Sequence, residues 1–220
     1  MSYLVISDLH LTDKTPLNKI HFLTDLFNRY SKIIVVGDLF EGYRSSPNAI
    51  YYKYLELFQV LDKKKCLFIR GNHDKDFDFP FLKNIEYTSG RYVVKNIYGK
   101  RYAFLHGHLH LKSIDVRYYL YLMPRIVTKI LLLYYDRIVS NLEPKLETLE
   151  KEVSYLKDIN LSIFKAFSKE SGKFERVIFG HTHYRELNRL YANPGFVGKQ
   201  HASYLTISKN KGITMYTYKY

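Results

Sequence analysis

Five short motifs follow one another along this chain of 220 residues: Asp8-Leu9-His10, Gly37-Asp38, Gly71-Asn72-His73-Asp74, His106-Gly107-His108 and Gly180-His181-Thr182-His183. Together they offer carboxylate, imidazole and amide oxygen, and no thiolate. Such hard-to-borderline donors suit Mn²⁺, Fe or Zn²⁺ better than copper(I) or an iron–sulfur cluster. Some seven ligands are too many for one tetrahedral Zn²⁺, which takes four. They are about right for two ions that share a carboxylate and a solvent molecule. Two ions roughly 3.5–4 Å apart form a clamp for hydrolysing phosphate esters, and they lower the pKa of the solvent between them. Asp38 is the expected bridge, because its carboxylate has an oxygen for each ion.

Ligands must converge from distant parts of the chain, so something rigid has to carry them. The apolar runs Tyr3-Leu4-Val5-Ile6, Ile33-Ile34-Val35-Val36, Leu67-Phe68-Ile69, Tyr102-Ala103-Phe104-Leu105 and Val177-Ile178-Phe179 each end within a few residues of a candidate ligand. A buried β-run that ends in polar turn residues presents ligands at one edge of a sheet. Between the runs, Leu17, Ile20, Leu23 and Phe27 predict a helix over Pro16 to Tyr30, and Ile50, Tyr54, Leu57 and Leu61 predict one over Pro47 to Leu61. Each proline suits a first helical turn. After His183, Tyr204-Leu205-Thr206-Ile207 and Ile213-Thr214-Met215-Tyr216 predict two strands around a turn from Lys209 to Gly212. Length and a 46% hydrophobic content predict a single domain over residues 1–220. The alternation of strands and helices predicts an α/β class with two packed sheets flanked by helices.

Any one of these histidines taken alone is more often a satisfied polar residue than a ligand. Their order is more specific. The series D-x-H, G-D, G-N-H-D, H-G-H, G-H-T-H resembles the calcineurin-like metallophosphoesterase superfamily from Asp8 to His183. The resemblance implies a four-layer α/β/β/α sandwich and a ligand set. Asp8, His10, Asp38 and His183 would hold one ion, and Asp38, Asn72, His106 and His181 the other, with Mn²⁺ expected and Fe or Zn²⁺ as alternatives. His73 matches the superfamily's catalytic histidine, beside the leaving oxygen, and Asp74 is expected to orient its ring. His108 reads either as a group behind a ligand or against substrate, or as an exposed turn residue.

Residues 111–176 form a helical insertion between the fourth and fifth motifs. Its segment from Tyr118 to Tyr135 is nearly all apolar or aromatic, but Pro124, Arg125 and Lys129 interrupt it. Each mid-membrane charge costs roughly 2.5–3.5 kcal/mol, which disfavours a spanning helix. Leu142, Leu146, Leu149, Val153 and Leu156 then form a stripe at spacings of four and three, suited to packing inside the chain or to pairing two chains. The position of the insertion, with Ser7-Asp8-Leu9-His10-Leu11 and Gly37-Asp38-Leu39-Phe40-Glu41, resembles the UDP-2,3-diacylglucosamine pyrophosphohydrolase branch. That branch has a helical lid there over acyl chains, and typically carries arginine where this chain has His73. An apolar, Tyr-rich lid suits a lipid-bearing or nucleotide-sugar substrate, with Arg117, Arg125 or Lys129 expected to meet its phosphates. A structural hairpin or a homodimer surface is the alternative reading of the insertion.

A formal charge of +13 favours anionic partners, including lipid headgroups at a membrane surface. Nucleic acid is the rival, because Gly-Asn-His-Asp also occurs in a repair exonuclease. That family adds a C-terminal capping domain, whereas about 37 residues follow His183. A scaffold role is the non-enzyme reading, and a complete ligand set argues against it. Lone Cys66 cannot form an internal disulfide and no signal peptide is visible, so a cytoplasmic protein is expected.

Overall fold

The computed structural model describes residues 2–74, 83–88, 90–110, 150–170 and 172–220. Its elements run β1 (Ser2–Ile6), α1 (Leu17–Arg29), β2 (Lys32–Val36), α2 (Pro47–Lys53), α3 (Leu55–Lys63), β3 (Leu67–Ile69), β4 (Glu86–Thr88), β5 (Val93–Ile97) and β6 (Lys100–Leu105). A short 3-10 turn (His108–His110), α4 (Glu150–Glu170), β7 (Arg176–Phe179), β8 (Glu186–Leu187), β9 (Tyr191–Asn193), β10 (His201–Ser208) and β11 (Gly212–Lys219) follow. One sheet has six strands in the order β11-β10-β1-β2-β3-β4, and the other has five in the order β5-β6-β7-β9-β8.

Strand side chains alternate between faces, and here both faces are buried. Leu4 and Ile6 of β1 join Ile33 and Val35 of β2 and Phe68 of β3 in a core shared with Ile20, Leu23 and Phe27 of α1 and Leu57, Phe58 and Leu61 of α3. Their neighbours Val5, Ile34, Val36, Leu67 and Ile69 face the other way and pack against Tyr102, Phe104 and Ile178 of the second sheet. In turn Ala103, Leu105, Val177 and Phe179 meet Ile163 and Phe167 of α4. Helices, sheet, sheet and helix are therefore stacked as an α/β/β/α sandwich. Near-continuous apolar strands are what such double burial demands.

The helix expected from Pro47 to Leu61 is instead two, broken at Tyr54 (φ −120°, ψ 41°). The apolar spacing survives the break, since Ile50, Tyr54, Leu57 and Leu61 are all buried. Tyr54 donates its hydroxyl to the carbonyl oxygens of Asp13 (3.2 Å) and Thr15 (2.8 Å), which ties the break to the chain just after Asp8-Leu9-His10. In the insertion, α4 packs on the second sheet. The stripe that reaches Leu156 continues at the same spacing through Asn160, Ile163 and Phe167, and the last two enter the core. Leu142, Leu146 and Leu149, the segment from Tyr118 to Tyr135, Arg117 and Arg125 lie outside the described residues. Among the described residues no helix is long and apolar enough to cross a membrane.

Candidate metal centre

The first, second, third, fourth and fifth motifs leave the carboxyl ends of β1, β2, β3, β6 and β7. Past the last ladder bonds of β1 and β2, their two loops go on pairing. The carbonyl oxygen of Asp38 accepts the N–H groups of Leu9 (2.8 Å) and His10 (2.9 Å), and that of Leu39 accepts Leu11 (2.9 Å). Buried Lys19 of α1 donates Nζ to the carbonyls of Leu9 and Val197, both at 2.6 Å, and so fastens the first loop from beneath.

These loops turn sharply. Asp8, His10, Asp38, His181 and His183 all have positive φ, between 46° and 74°. For a residue with a Cβ that conformation costs on the order of 1–2 kcal/mol, and Asp and His are among the types that enter it most readily. Strain of this kind, repeated on adjacent loops, persists only where surrounding structure holds it. The motif glycines give the ligands room. A Cβ on Gly37 would lie 2.1 Å from His106 Nδ1, and one on Gly71 would lie 2.1 Å from Asp38 Oδ1.

The result is a cluster of donors. Asp8, His10 and His183 place ligand atoms within 4.8 Å of one another, and so do Asp38, His106 and His181. Asp38 stands between the sets, with Oδ2 3.3 Å from His106 Nε2 and 3.8 Å from His10 Nε2. His183 Nε2 lies 3.3 Å from Asp8 Oδ1 and 3.1 Å from His10 Nε2. Asn72 brings Oδ1 to 3.1 Å from His106 Nε2. All seven expected ligands thus converge, and they fit divalent ions. Among the described residues buried Asp8 Oδ1 has the His183 ring beside it but no hydrogen-bond partner, while Oδ2 accepts the Ser7 hydroxyl (2.5 Å) and the His181 N–H (3.0 Å). Such an arrangement leaves one oxygen for a cation.

A calcineurin-like phosphoesterase family model matches residues 1–185. The chain belongs to that family. It is a phosphoester hydrolase of the metallophosphoesterase fold. It is 28% identical over 213 residues to a UDP-2,3-diacylglucosamine hydrolase of Blochmanniella pennsylvanica (strain BPEN), covering 87% of this chain and 82% of that protein. It is 29% identical over 206 residues to the enzyme of that name from Coxiella burnetii (strain RSA 331 / Henzerling II), covering 86% and 84%. Among solved structures it is similar to wild-type Vps29 complexed with Zn²⁺ from Entamoeba histolytica, with a TM-score of 0.47, 17% identity, and coverage of 100% and 92%.

The electrostatics of this phosphoesterase centre are those of buried opposite charges. Burial alone would raise the Asp8 carboxyl, but His183 and then His106 pull it down to about 2. Asp38 is likewise raised by burial and held well below the usual range by His106, His73 and His10. Burial lowers His181 to about 3, and the charge on His106 adds to that; burial also lowers His10. His106 goes the other way. Burial opposes its charge, yet Asp38, Asp8 and the Val36 carbonyl raise it to about 9. Its Nδ1 lies 2.9 Å from that carbonyl oxygen, so Nδ1 donates and Nε2 is left for a metal.

A pH dependence follows. His106 must lose its proton to become a ligand, and below about pH 9 that proton competes with the ion. Affinity for Mn²⁺ should therefore rise with pH by up to about tenfold per unit from pH 7 towards 9, then level. Competition titration against a fluorescent chelator at several pH values would read this. A flat profile would contradict it.

Two expectations change in detail. Asp74 does not hold His73 by its carboxylate: Oδ1 accepts the Phe40 N–H (2.8 Å) and Oδ2 accepts the Gly71 N–H (2.9 Å). It is a brace between two ligand loops, and burial, then the charge of Asp38, pushes it up to about 7. The partner of His73 is Glu41, whose Oε1 lies 2.7 Å from His73 Nδ1 and whose Oε2 lies 3.1 Å from His10 Nδ1. Burial would raise Glu41, and those two imidazoles bring it well below the usual carboxylate range. One available signal was a carboxylate three residues past Asp38 in the same turn. His108 sits beside the second set, its ring 5.3 Å from that of His106 and 6.2 Å from that of His181.

Asn160 was also missed. It is fully buried on α4, where it donates to the Tyr184 carbonyl (3.2 Å) and accepts from the Thr182 hydroxyl (2.7 Å) and the Asn193 amide (3.1 Å). One side chain thereby ties the returning helix of the insertion to the loop carrying His181 and His183. Asn160→Ala should weaken Mn²⁺ binding by about tenfold, the scale lost with groups that orient ligands. It should also cost about 1–3 kcal/mol through the polar groups left unsatisfied. Metal titration alongside thermal unfolding tests both, and unchanged affinity would free the loop from α4.

Proposed function

We propose that this chain hydrolyses the pyrophosphate linkage of a nucleotide-linked, acylated sugar, using two divalent ions with Mn²⁺ the first choice. The observation that carries the reading is the pair of ligand sets joined at Asp38. The substrate class is supported by relatives named UDP-2,3-diacylglucosamine hydrolase, more than four-fifths of whose length is spanned. Asp8, His10 and His183 would hold one ion and Asn72, His106 and His181 the other, with Asp38 shared. When bound, the ions supply Lewis-acid activation of water and neutralise phosphate charge.

The remaining chemistry belongs to the side chains. Glu41 accepts the Nδ1 proton of His73, which turns Nε2 toward Asp38 Oδ2, 4.0 Å away, at the edge of the ligand cluster. A ring so held donates Nε2–H to the leaving phosphate oxygen, and the Glu41 carboxylate compensates its charge. Tyr43 meets the His73 ring edge-on at 5.2 Å and donates its hydroxyl to the Asn72 carbonyl (3.3 Å), which steadies the same loop. The chain works in the cytoplasm at the membrane surface, where its charge of +13 favours anionic headgroups.

The test is turnover of UDP-2,3-diacylglucosamine, bis-p-nitrophenyl phosphate and single-stranded DNA by Mn²⁺-loaded protein. Preferential cleavage of the first into two phosphomonoesters, followed by ³¹P NMR, is the expected result. Cleavage of DNA in preference to the lipid would move the reading to a nuclease, and turnover of none would overturn it.

A further inference from the structure

Beside the second ligand set lies a pocket lined by Arg70, Arg91, His106 and His108, with Leu109 and the backbones of Gly71, Gly90 and Gly107. Among the described residues of this lining none is acidic. His106 is a proposed ligand, so one wall of the pocket is the metal centre itself. Arg70 is the last residue before Gly71-Asn72-His73-Asp74 and is held in place. Its Nε donates to the Asp74 carbonyl (2.6 Å), and its guanidinium lies 5.7 Å from the Tyr87 ring centroid. The bond at Nε restrains the guanidinium, whose fork geometry matches phosphate oxygens. Arg91 comes from a different segment, just before β5, and His108 from the 3-10 turn after β6. Three separate segments thus bring basic groups to one concavity adjoining the ions.

We propose that Arg70, Arg91 and His108 form a second anion subsite, which binds the phosphoryl group adjacent to the one held at the metal centre. The subsite rests on the phosphoesterase reading above and sharpens it. A substrate with two phosphoryl groups one bridging oxygen apart can occupy both places, whereas a phosphomonoester fills only one. The chain would therefore prefer diphosphate compounds over monophosphates through its own side chains, whatever the rest of the substrate is.

Equilibrium binding to the metal-loaded protein tests this without turnover, using UMP and uridine 5′-(α,β-methylene)diphosphate, which cannot be cleaved between its phosphorus atoms. The wild-type chain should bind the diphosphate at least about tenfold more tightly than UMP. Arg91→Gln, an exposed position where folding is not at stake, and Arg70→Lys should each shrink that ratio to about threefold or less. Lys211→Gln, in the β10–β11 turn at the opposite end of the sheet from the ligand loops, should keep it. Equal loss for both nucleotides, or an undiminished ratio in both arginine variants, would overturn the subsite. A chain that takes up no metal would instead sink the phosphoesterase reading, and the diphosphate-to-monophosphate ratio would still be measurable.

Discussion

Asp38→Asn should abolish useful turnover, lowering kcat/KM by at least roughly 10³-fold, the scale lost with a single strong electrostatic stabiliser at a reacting centre. Asparagine is the informative replacement because Asp38 sits at φ 51°, which asparagine tolerates and alanine does not. The amide keeps the shape, and its oxygen can still accept the His73 N–H that Asp38 Oδ1 now takes at 2.8 Å. What disappears is a negative charge set among His106, His10 and His73, at 3.3, 3.8 and 4.0 Å from Oδ2. With it goes one of the two carboxylate oxygens that would hold the proposed ions. Bound metal, measured by mass spectrometry of dialysed protein, should fall from two per chain to one or fewer. Retention of two ions with full activity would show that Asp38 is not the shared ligand.

His73→Gln should lower kcat by about 10²–10⁴, the usual contribution of a positioned acid, and leave both ions in place. Glu41 explains why the effect should be on kcat: it fixes His73 at Nδ1 and leaves Nε2 facing the cluster. Geometry offers a sharp alternative, because His10, Asp38 and His73 also bring ligand atoms within 4.8 Å of one another. If His73 were a ligand, the variant would lose metal as well as rate. A leaving-group series separates the roles further. Substrates whose leaving oxygen needs no proton should lose much less in the variant than those with a poor leaving group, and an equal loss would remove His73 from proton transfer.

Much of this site was legible in the sequence because each ligand follows an apolar run whose length and β-branched content already mark a strand. Asp8, Asp38, Asn72, His106, His181 and His183 stand at strand ends by sequence pattern alone. Two packed sheets flanked by helices followed from the alternation of strands with helical spacings, and the four layers from the family resemblance; in the structure Leu4 and Val5 enter different cores. What could not be read were relations across loops. Glu41 looks like any surface carboxylate until the turn after β2 brings it between His10 and His73. Asn160 interrupts an apolar stripe and reads as a defect, although its amide satisfies the loop after β7. Asp74 shows the converse error, since adjacency in sequence suggested contact with His73 while the turn directs its carboxylate to Phe40 and Gly71. The break at Tyr54 was also out of reach, because periodicity continues through it and the carbonyl partners of its hydroxyl lie outside the helix.

The most direct measurement is anomalous diffraction at the manganese edge from crystals grown with Mn²⁺. Two peaks roughly 3.5–4 Å apart are expected, one against Asp8, His10 and His183, the other against Asn72, His106 and His181, with Asp38 reaching both. A single peak, or density held by other residues, would contradict a two-ion centre.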